Sequence, residues 1–235
     1  MKNLMIPALA LFLSAAAQAD DSPLWMRYCA ISPDGQTIAF SYQVDIYTVP
    51  SSGGKARQLT THPAHDTRPV WSPDGQRIAF ASNRSGNFDV FLMNKEGGEP
   101  KRLTTHSTNE YPTTFKDNGH ILYLANVLQD AKDIQFPGTR FMQVYEISTD
   151  GGRPDLYSSL YMENIALSKD GSKLLYNDYK GYEDPWRKHH QSSITRDIWL
   201  CTLGKDRSFQ KVTTFGGEDR NPVWAADGAS FYYLS

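Results

Sequence analysis

Apolar and polar residues alternate over short stretches along most of the chain, and turn-forming residues separate these stretches. Alternation with a period of two predicts half-buried β-strands, because successive side chains of a strand point to opposite faces of its sheet. Residues 45–49 show the pattern, as do residues 144–147. Glycine, proline and aspartate between the stretches favour tight turns. The pattern therefore predicts an all-β fold.

One sequence unit recurs along the chain. Residues 30–40 (AISPDGQTIAF) and 70–80 (VWSPDGQRIAF) match at most positions, and weaker copies follow at 114–124, 166–176 and 223–234. The glycines shared by the five copies are Gly35, Gly75, Gly119, Gly171 and Gly228. Their spacing of roughly 40 to 57 residues is typical of β-propeller blades, each a four-stranded antiparallel sheet.

The repeats predict a β-propeller of four-stranded blades, here an incomplete arc of four blades plus half of a fifth. The expected blades cover approximately residues 27–62, 68–106, 111–160, 163–215 and 221–235. A half blade and an arc that does not close expose strand edges, so we expect closure by further sequence, with oligomerisation as the alternative.

The aspartates of the repeated turns are expected to be structural. In the sequence from Ser32 to Gly35, proline presets its own φ, Asp34 can accept bonds from nearby backbone N–H groups, and Gly35 accepts a positive φ. A catalytic group is needed once, whereas a turn residue is needed in every copy. Repetition therefore favours the structural interpretation.

The first residues resemble a secretory signal peptide. Lys2 precedes an apolar run over residues 4–17, which ends in Ala17-Gln18-Ala19. The run is short for a bilayer span, and the small residues suit cleavage after Ala19. A signal peptide at 1–19 and a propeller at 20–235 are therefore expected, with a periplasmic or secreted location. A buried N-terminal helix is the alternative.

The charge, the hydropathy and the cysteine content of the chain restrict the partners and the disulfide bonds that can be expected. The net charge of −2 gives no reason to expect a nucleic-acid partner, and no later stretch is apolar enough for stable membrane insertion. The two cysteines, Cys29 and Cys201, lie on distant repeats and are expected to be unpaired, buried residues on strands.

The recurring segments P-V-W, S-P-D-G, I-A-F, D-I-Y, Gly-Gly and L-T-T resemble the TolB-type propeller repeat. Residues 24–28 (LWMRY), 184–190 (DPWRKHH) and 195–199 (TRDIW) are most similar to bacterial tricorn-like serine proteases of the tail-specific protease superfamily. That resemblance implies a long chain with an N-terminal propeller, a second β domain, a PDZ module and a C-terminal protease core. The nucleophilic serine belongs to that core, so no residue here inherits a catalytic role.

Motifs that carry chemistry do not occur in the sequence: it has no G-x-S-x-G, no phosphate-binding glycine loop and no H-E-x-x-H. His62, His65 and Asp66 lie close enough in sequence to suggest a metal site. The ligand set is incomplete and His62 belongs to the repeat, as His106 does, so no metal is expected. No cofactor is expected either.

Two insertions indicate where binding could occur. Residues 126–143 and 178–196 join second to third strands, which places both on the face opposite the S-P-D-G turns. Long loops on a rigid scaffold commonly carry recognition, and the second is rich in aromatic and basic groups. The candidate binding residues are Tyr179, Tyr182, Trp186, Arg187, His189 and His190. A loop that only covers its own blade or a neighbouring domain is the alternative.

Three functions stay open. The first is the non-catalytic propeller of a periplasmic tricorn-like peptidase, which binds peptide or protein substrates beside downstream protease domains of the same chain. The second is a TolB-type propeller that binds envelope proteins and has no protease domain. The third is the propeller of a prolyl-oligopeptidase-like enzyme, followed by an α/β-hydrolase domain. The sequence following residue 235 would distinguish them.

Overall fold

The computed structural model describes residues 25–127, 142–180, 192–225 and 227–235, and these residues contain strands but no helix. Four antiparallel four-stranded sheets and one two-stranded sheet follow one another in chain order. The predicted all-β class and the four-stranded blades are therefore confirmed.

The strands of the first three blades have the following bounds: β1 Arg27–Ile31, β2 Thr37–Tyr42, β3 Asp45–Pro50, β4 Arg57–Gln58; β5 Asp66–Trp71, β6 Arg77–Ser82, β7 Asp89–Asn94, β8 Gly97–Arg102; β9 Glu110–Asp117, β10 His120–Ala125, β11 Gln143–Ser148, β12 Asp155–Ser158. The remaining strands are β13 Glu163–Leu167, β14 Lys173–Asn177, β15 Ile198–Thr202, β16 Ser208–Lys211, β17 Arg220–Trp224 and β18 Phe231–Leu234. Within the described ranges, no helix is long and apolar enough to cross a bilayer.

The first strands of consecutive blades lie side by side: β1 contacts β5, β5 contacts β9, β9 contacts β13, and β13 contacts β17. They therefore form the inner edge of the arc. Because the strands of each blade are antiparallel and in sequential order, turns one-to-two and three-to-four share one face. The two-to-three loops and the blade connections share the other, which we call the insertion face. As predicted, the insertions join second to third strands, β10 to β11 and β14 to β15, so their described ends lie on the insertion face.

The S-P-D-G turns have the predicted chemistry. Ser32 Oγ donates to Asp34 Oδ1 (2.5 Å) and accepts from the N–H of Thr37 (2.9 Å), and Asp34 Oδ1 also accepts from the N–H of Gln36 (3.0 Å). The bonds from Ser32 and Gln36 hold the pKa of Asp34 below its ordinary value. Gly35 has a φ of +72°, which glycine adopts without steric cost. The aspartate is therefore a turn residue.

The turn of the third blade departs from this pattern. Asp117 Oδ1 accepts from the N–H of Gly119 (2.7 Å), and Gly119 is not in the left-handed region. Its sequence D-N-G-H lacks the serine that closes the turns of the first, second and fourth blades. The weak third copy of the repeat therefore differs in backbone conformation as well as in sequence.

Apolar cores lie between neighbouring blades. One contains Ile46 and Phe80 from the first two blades, and the next contains Val90 and Ile121 from the second and third. Trp71 Nε1 donates to the carbonyl of Ala30 in the preceding blade (3.0 Å). A fully buried side chain such as Ile121 contributes about 2 kcal/mol through the hydrophobic effect. The cores therefore hold the blades together.

Both cysteines are free, as predicted, but the expectation that both are buried is wrong for Cys29. Cys201 is 1% exposed in the core of the fourth blade, whereas Cys29 is exposed on β1. The first described blade has a neighbouring blade on one side only, so β1 remains largely exposed.

Candidate binding site on the insertion face

Of the predicted binding residues, the structure describes Tyr179. Its ring packs edge-on against Tyr161, with ring centroids 4.8 Å apart, and the guanidinium carbon of Arg196 lies 5.5 Å from the Tyr179 ring centroid. Tyr179 lines a cavity of about 550 Å³, which we call the outer cavity, together with Leu160 and Trp199. The other predicted residues, Tyr182, Trp186, Arg187, His189 and His190, lie outside the described residues.

The described ends of the second insertion are fixed by hydrogen bonds. Asp178 accepts from the N–H of Asp197 (2.7 Å) and from Nε1 of Trp199 (3.1 Å). Lys180 forms an ion pair with Asp197 and donates to the carbonyl of Thr195 (2.8 Å). The start and the end of the insertion are thereby held beside each other.

Arg196 links this end of the insertion to neighbouring strands. Its Nε donates to Glu163 at the start of β13 (2.7 Å), and its Nη1 pairs with Glu218 just before β17. Its side chain is 12% exposed, so both pairs are largely shielded from water. The insertion is therefore attached to the first strand of its own blade and to the connection that leads to the next.

The residues considered for a metal site are engaged separately. Asp66 is fully buried, and both of its oxygens accept bonds from Nη2 of Arg84, at 3.1 and 2.9 Å. His62 Nδ1 accepts from the N–H of Ala64 (3.0 Å), and His65 packs edge-on against Phe88. Among the described residues no cluster of three or more histidine, cysteine, aspartate or glutamate side chains could hold a metal ion.

A feature that the sequence did not reveal is a repeated distortion of the first strands. Four non-glycine residues have positive φ at equivalent positions: Tyr28 (53°), Arg68 (55°), Asn164 (50°) and Asn221 (54°). Each lies where the pairing of the first and second strand shifts register. Aligning the repeats on the turn glycine brings the four positions together, but it does not reveal the backbone conformation.

Arg68 and Tyr28 face a second cavity of about 500 Å³, which we call the inner pocket. The Arg68 guanidinium carbon lies 5.0 Å from the ring centroid of Tyr28 and 4.5 Å from that of Tyr111. Trp25 and Phe88 also line the pocket. Cation–π contact of this kind holds the guanidinium plane but leaves its N–H edges available.

The inner pocket carries positive charge. Arg27 also lines it, with its guanidinium carbon 5.1 Å from the ring centroid of Trp25. No aspartate or glutamate is among the described residues of its lining. The pocket is therefore an aromatic recess with two guanidinium groups, and His65 also lines it.

Behind the first strands lies a buried pair of carboxyl groups. Glu110, at the start of β9, is 1% exposed, and Asp89, at the start of β7, is fully buried. Burial, together with the neighbouring Asp89 carboxylate, raises the pKa of Glu110 to about 7. Burial also raises the pKa of Asp89, although Arg102 lies 2.8 Å from its Oδ2. One Glu110 oxygen and the hydroxyl of Tyr123 have no hydrogen-bond partner among the described residues.

Comparison with known proteins places the blades in a family. Residues 23–235 match the Tricorn protease N-terminal beta propeller domain. The chain belongs to this family. The Tricorn-type propeller also shares a short stretch with an uncharacterized peptidase, YuxL of Bacillus subtilis. The two sequences are 42% identical over 52 residues, which cover 20% of this chain and 8% of the peptidase.

Solved structures with this propeller fold include a putative TolB from Agrobacterium tumefaciens, with a TM-score of 0.60, 22% identity, and coverage of 89% of this chain and 75% of the other. The tricorn protease has a TM-score of 0.64 and 20% identity, and the match covers 88% of this chain and 21% of the protease. The Tricorn-type propeller described here thus spans a small part of the peptidases that it resembles.

Proposed function

We propose that this chain is the non-catalytic propeller portion of a tricorn-like peptidase and that it binds peptide or protein segments on its insertion face. Bond cleavage is assigned to a separate protease domain of the same protein. Membership of the Tricorn propeller family supports the first part. The observation that carries the second is the inner pocket, where Arg68 and aromatic rings face solvent at the inner edge of the arc.

The outer cavity adds a second surface on the same face. It is bordered by the fixed ends of the second insertion, where Asp178 and Tyr179 are held. The proposal includes recognition of the bound peptide or protein segment by Trp186 and Arg187, two residues of this insertion. An extended segment that reaches both surfaces would contact aromatic groups along its length, which suits peptides better than small molecules.

Photo-crosslinking tests the proposal. The exported chain is mixed with peptides from a digested, unfolded protein that carry a photoreactive group, and the crosslinked residues are mapped by mass spectrometry. We expect crosslinks on the insertion face. Crosslinks spread evenly over both faces, or their absence, would contradict peptide binding. Binding of folded envelope proteins without binding of peptides would favour the TolB-type alternative, which the putative TolB likeness supports as far as fold is concerned.

Two variants test whether the second insertion contributes to peptide binding. Replacing Trp186 and Arg187 together by alanine should weaken peptide binding by about 1–3 kcal/mol, the range for aromatic and arginine anchors. Arg153→Ala is the matched control, because Arg153 is exposed and lies in a three-to-four turn on the opposite face. Equal effects of the two changes on the dissociation constant would exclude a specific role for the insertion.

Export is also proposed. Lys2, the apolar run over 4–17 and Ala17-Gln18-Ala19 support a cleaved signal peptide and a periplasmic or secreted mature chain. N-terminal sequencing of the protein recovered from the periplasm should begin at Asp20. Recovery of the chain with Met1 intact from the cytoplasm would contradict export.

A further inference from the structure

Arg68 occupies a position that favours asparagine. At the equivalent positions of the fourth and fifth blades, Asn164 and Asn221 adopt the same positive φ. Asparagine tolerates this conformation better than a long side chain does, so arginine at φ 55° places strain in the backbone. Tyr28 shares this strained conformation in the first blade, and both side chains line the inner pocket, which points to a role for them there. The N–H of Arg68 is bonded to Ser41 Oγ of the preceding blade (3.2 Å), which helps to hold the distortion.

The guanidinium of Arg68 differs in its partners from three other partly or largely buried arginines. Arg84 and Arg102 each form an ion pair with a fully buried aspartate, and Arg196 pairs with Glu163, which is partly exposed. Arg68 instead contacts the rings of Tyr28 and Tyr111, and among the described residues its side chain forms no ion pair. Stacked guanidinium groups keep donors along their edges, and these donors match the two oxygens of a carboxylate.

The inner pocket limits what can bind there. A volume of about 500 Å³ accommodates one or two side chains rather than a folded domain. Trp25, Tyr42 and Phe88 supply aromatic surface beside the guanidinium. Since no acidic residue is among the described residues of its lining, the pocket is complementary in charge to an anion.

We propose that Arg68 is a specificity-determining residue of the inner pocket and that the pocket selects peptides with a carboxylate next to an aromatic residue. The inference rests on the proposed function and names its substrate class. The carboxylate is either an acidic side chain or the C-terminus of the peptide. Both sources offer the same two oxygens to the guanidinium.

Calorimetric titration with three matched peptides tests this selection. The first is acetyl-Gly-Phe-Glu-Phe-Gly-amide, the second has glutamine in place of glutamate, and the third is acetyl-Gly-Phe-Gln-Phe with a free C-terminus. We expect at least one carboxylate peptide to bind wild-type protein about tenfold more tightly than the neutral peptide, because hydrogen bonds to a charged group are strong. The carboxylate peptide that binds more tightly identifies whether the carboxylate comes from a side chain or from the C-terminus.

Arg68→Asn is the informative variant, since Asn164 and Asn221 show that the backbone accepts asparagine here. It should remove the preference for carboxylate and leave the affinity for the neutral peptide within about threefold, because only the charge-assisted bonds are lost. Arg68→Lys keeps the charge without the planar fork and should retain part of the preference. Arg153→Asn removes a positive charge from the opposite face and should change neither affinity.

The outcomes separate the two proposals. Equal binding of acidic and neutral peptides to wild type, or equal weakening of both by Arg68→Asn, would overturn carboxylate selection while peptide binding stands. Binding of none of the three peptides would overturn both. Tighter binding of inorganic phosphate than of either carboxylate peptide, measured by competition, would assign the pocket to phosphate instead. Thermal unfolding of each variant checks its fold. If Arg68→Asn does not fold, the peptide preference of Arg68→Lys is used to test carboxylate selection instead.

Discussion

Glu110 provides a sharp test of the structure, because its carboxyl group is buried beside another carboxyl group. Replacing Glu110 with glutamine keeps the size of the side chain and removes its negative charge. We expect Glu110→Gln to increase the free energy of unfolding at pH 8 and to leave it nearly unchanged at pH 4. The reason is that the native state favours the protonated form of Glu110.

The magnitude follows from the pKa. An ordinary glutamate has a pKa of 4.5, and the pKa of Glu110 is raised to about 7 by burial and by the carboxylate of Asp89. Each unit of difference corresponds to about 1.4 kcal/mol. Above pH 7 the ionised group therefore lowers stability by about 3 kcal/mol relative to pH 4. This loss develops as the pH rises from about 4.5 to about 7, the window between the unfolded and native pKa values.

Urea denaturation at pH 4, 5, 6, 7 and 8, followed by tryptophan fluorescence, measures the effect. The quantity of interest is the difference in unfolding free energy between Glu110→Gln and wild type, because histidines and other groups that titrate in this range cancel in the difference. That difference should grow with pH and level off above pH 7. A constant difference, or a variant less stable than wild type at pH 8, would refute the argument.

Asp66 is the matched control, since it occupies the same repeat position as Glu110 at the start of the preceding blade. Both of its oxygens accept bonds from Arg84, whereas one Glu110 oxygen has no partner among the described residues. Asp66→Asn leaves the Arg84 guanidinium without its counter-ion. It should therefore destabilise the protein by about 3 kcal/mol at pH 8, because it breaks a buried ion pair. The two substitutions change stability in opposite directions at one repeat position.

Three further predictions follow from the turns, the thiols and the family. Gly35→Val should lower stability by about 1–2 kcal/mol through strain at positive φ, whereas Gly204→Ala, at a glycine without positive φ and with open space around it, should change thermal unfolding little. In the native protein a thiol reagent should modify Cys29 rapidly and should modify Cys201 only after denaturation. Mass spectrometry should find no disulfide bond between the two cysteines. Slow modification of Cys29 in the native protein would contradict its exposure. Residues 20–235 should hydrolyse no peptide, and turnover that a point change in this range abolishes would disprove the non-catalytic assignment.

The sequence predicted the architecture because the first, second and fourth blades repeat the same turn chemistry. Ser32, Asp34 and Gly35 are needed locally, within one turn, so their pattern is visible without knowledge of the packing. The face on which the described ends of the insertions lie followed from strand order alone. The exposure of Cys29 was missed because the pattern treats all copies alike, while the first described blade is covered on one side only.

The candidate site was harder to predict because it depends on contacts between blades. Arg68 contacts Tyr28 of the preceding blade and Tyr111 of the following one, and its backbone conformation arises from a register shift between β5 and β6. No local pattern encodes these relations. The buried Glu110 was missed for a related reason: its equivalent, Asp66, is paired by Arg84 from the short loop after β6, and the third blade has a long insertion at that place.

The tryptophan that follows each P-V sequence has a consequence for the order of assembly. Trp71 Nε1 donates to Ala30 and Trp224 Nε1 donates to Ala166, each in the blade before its own. A carbonyl of an earlier blade thus receives its donor only after the first strand of the next blade has been synthesised. Phe115 and Leu167 occupy the same repeat position in the third and fourth blades and have no side-chain N–H to donate. The first and the last of the four junctions therefore carry this tryptophan bond, whereas the two between them lack it and rely on apolar cores and on other hydrogen bonds, such as that from the N–H of Asp74 to Asn118 Oδ1 (3.1 Å). Misdocking during synthesis is expected to concentrate at these two junctions.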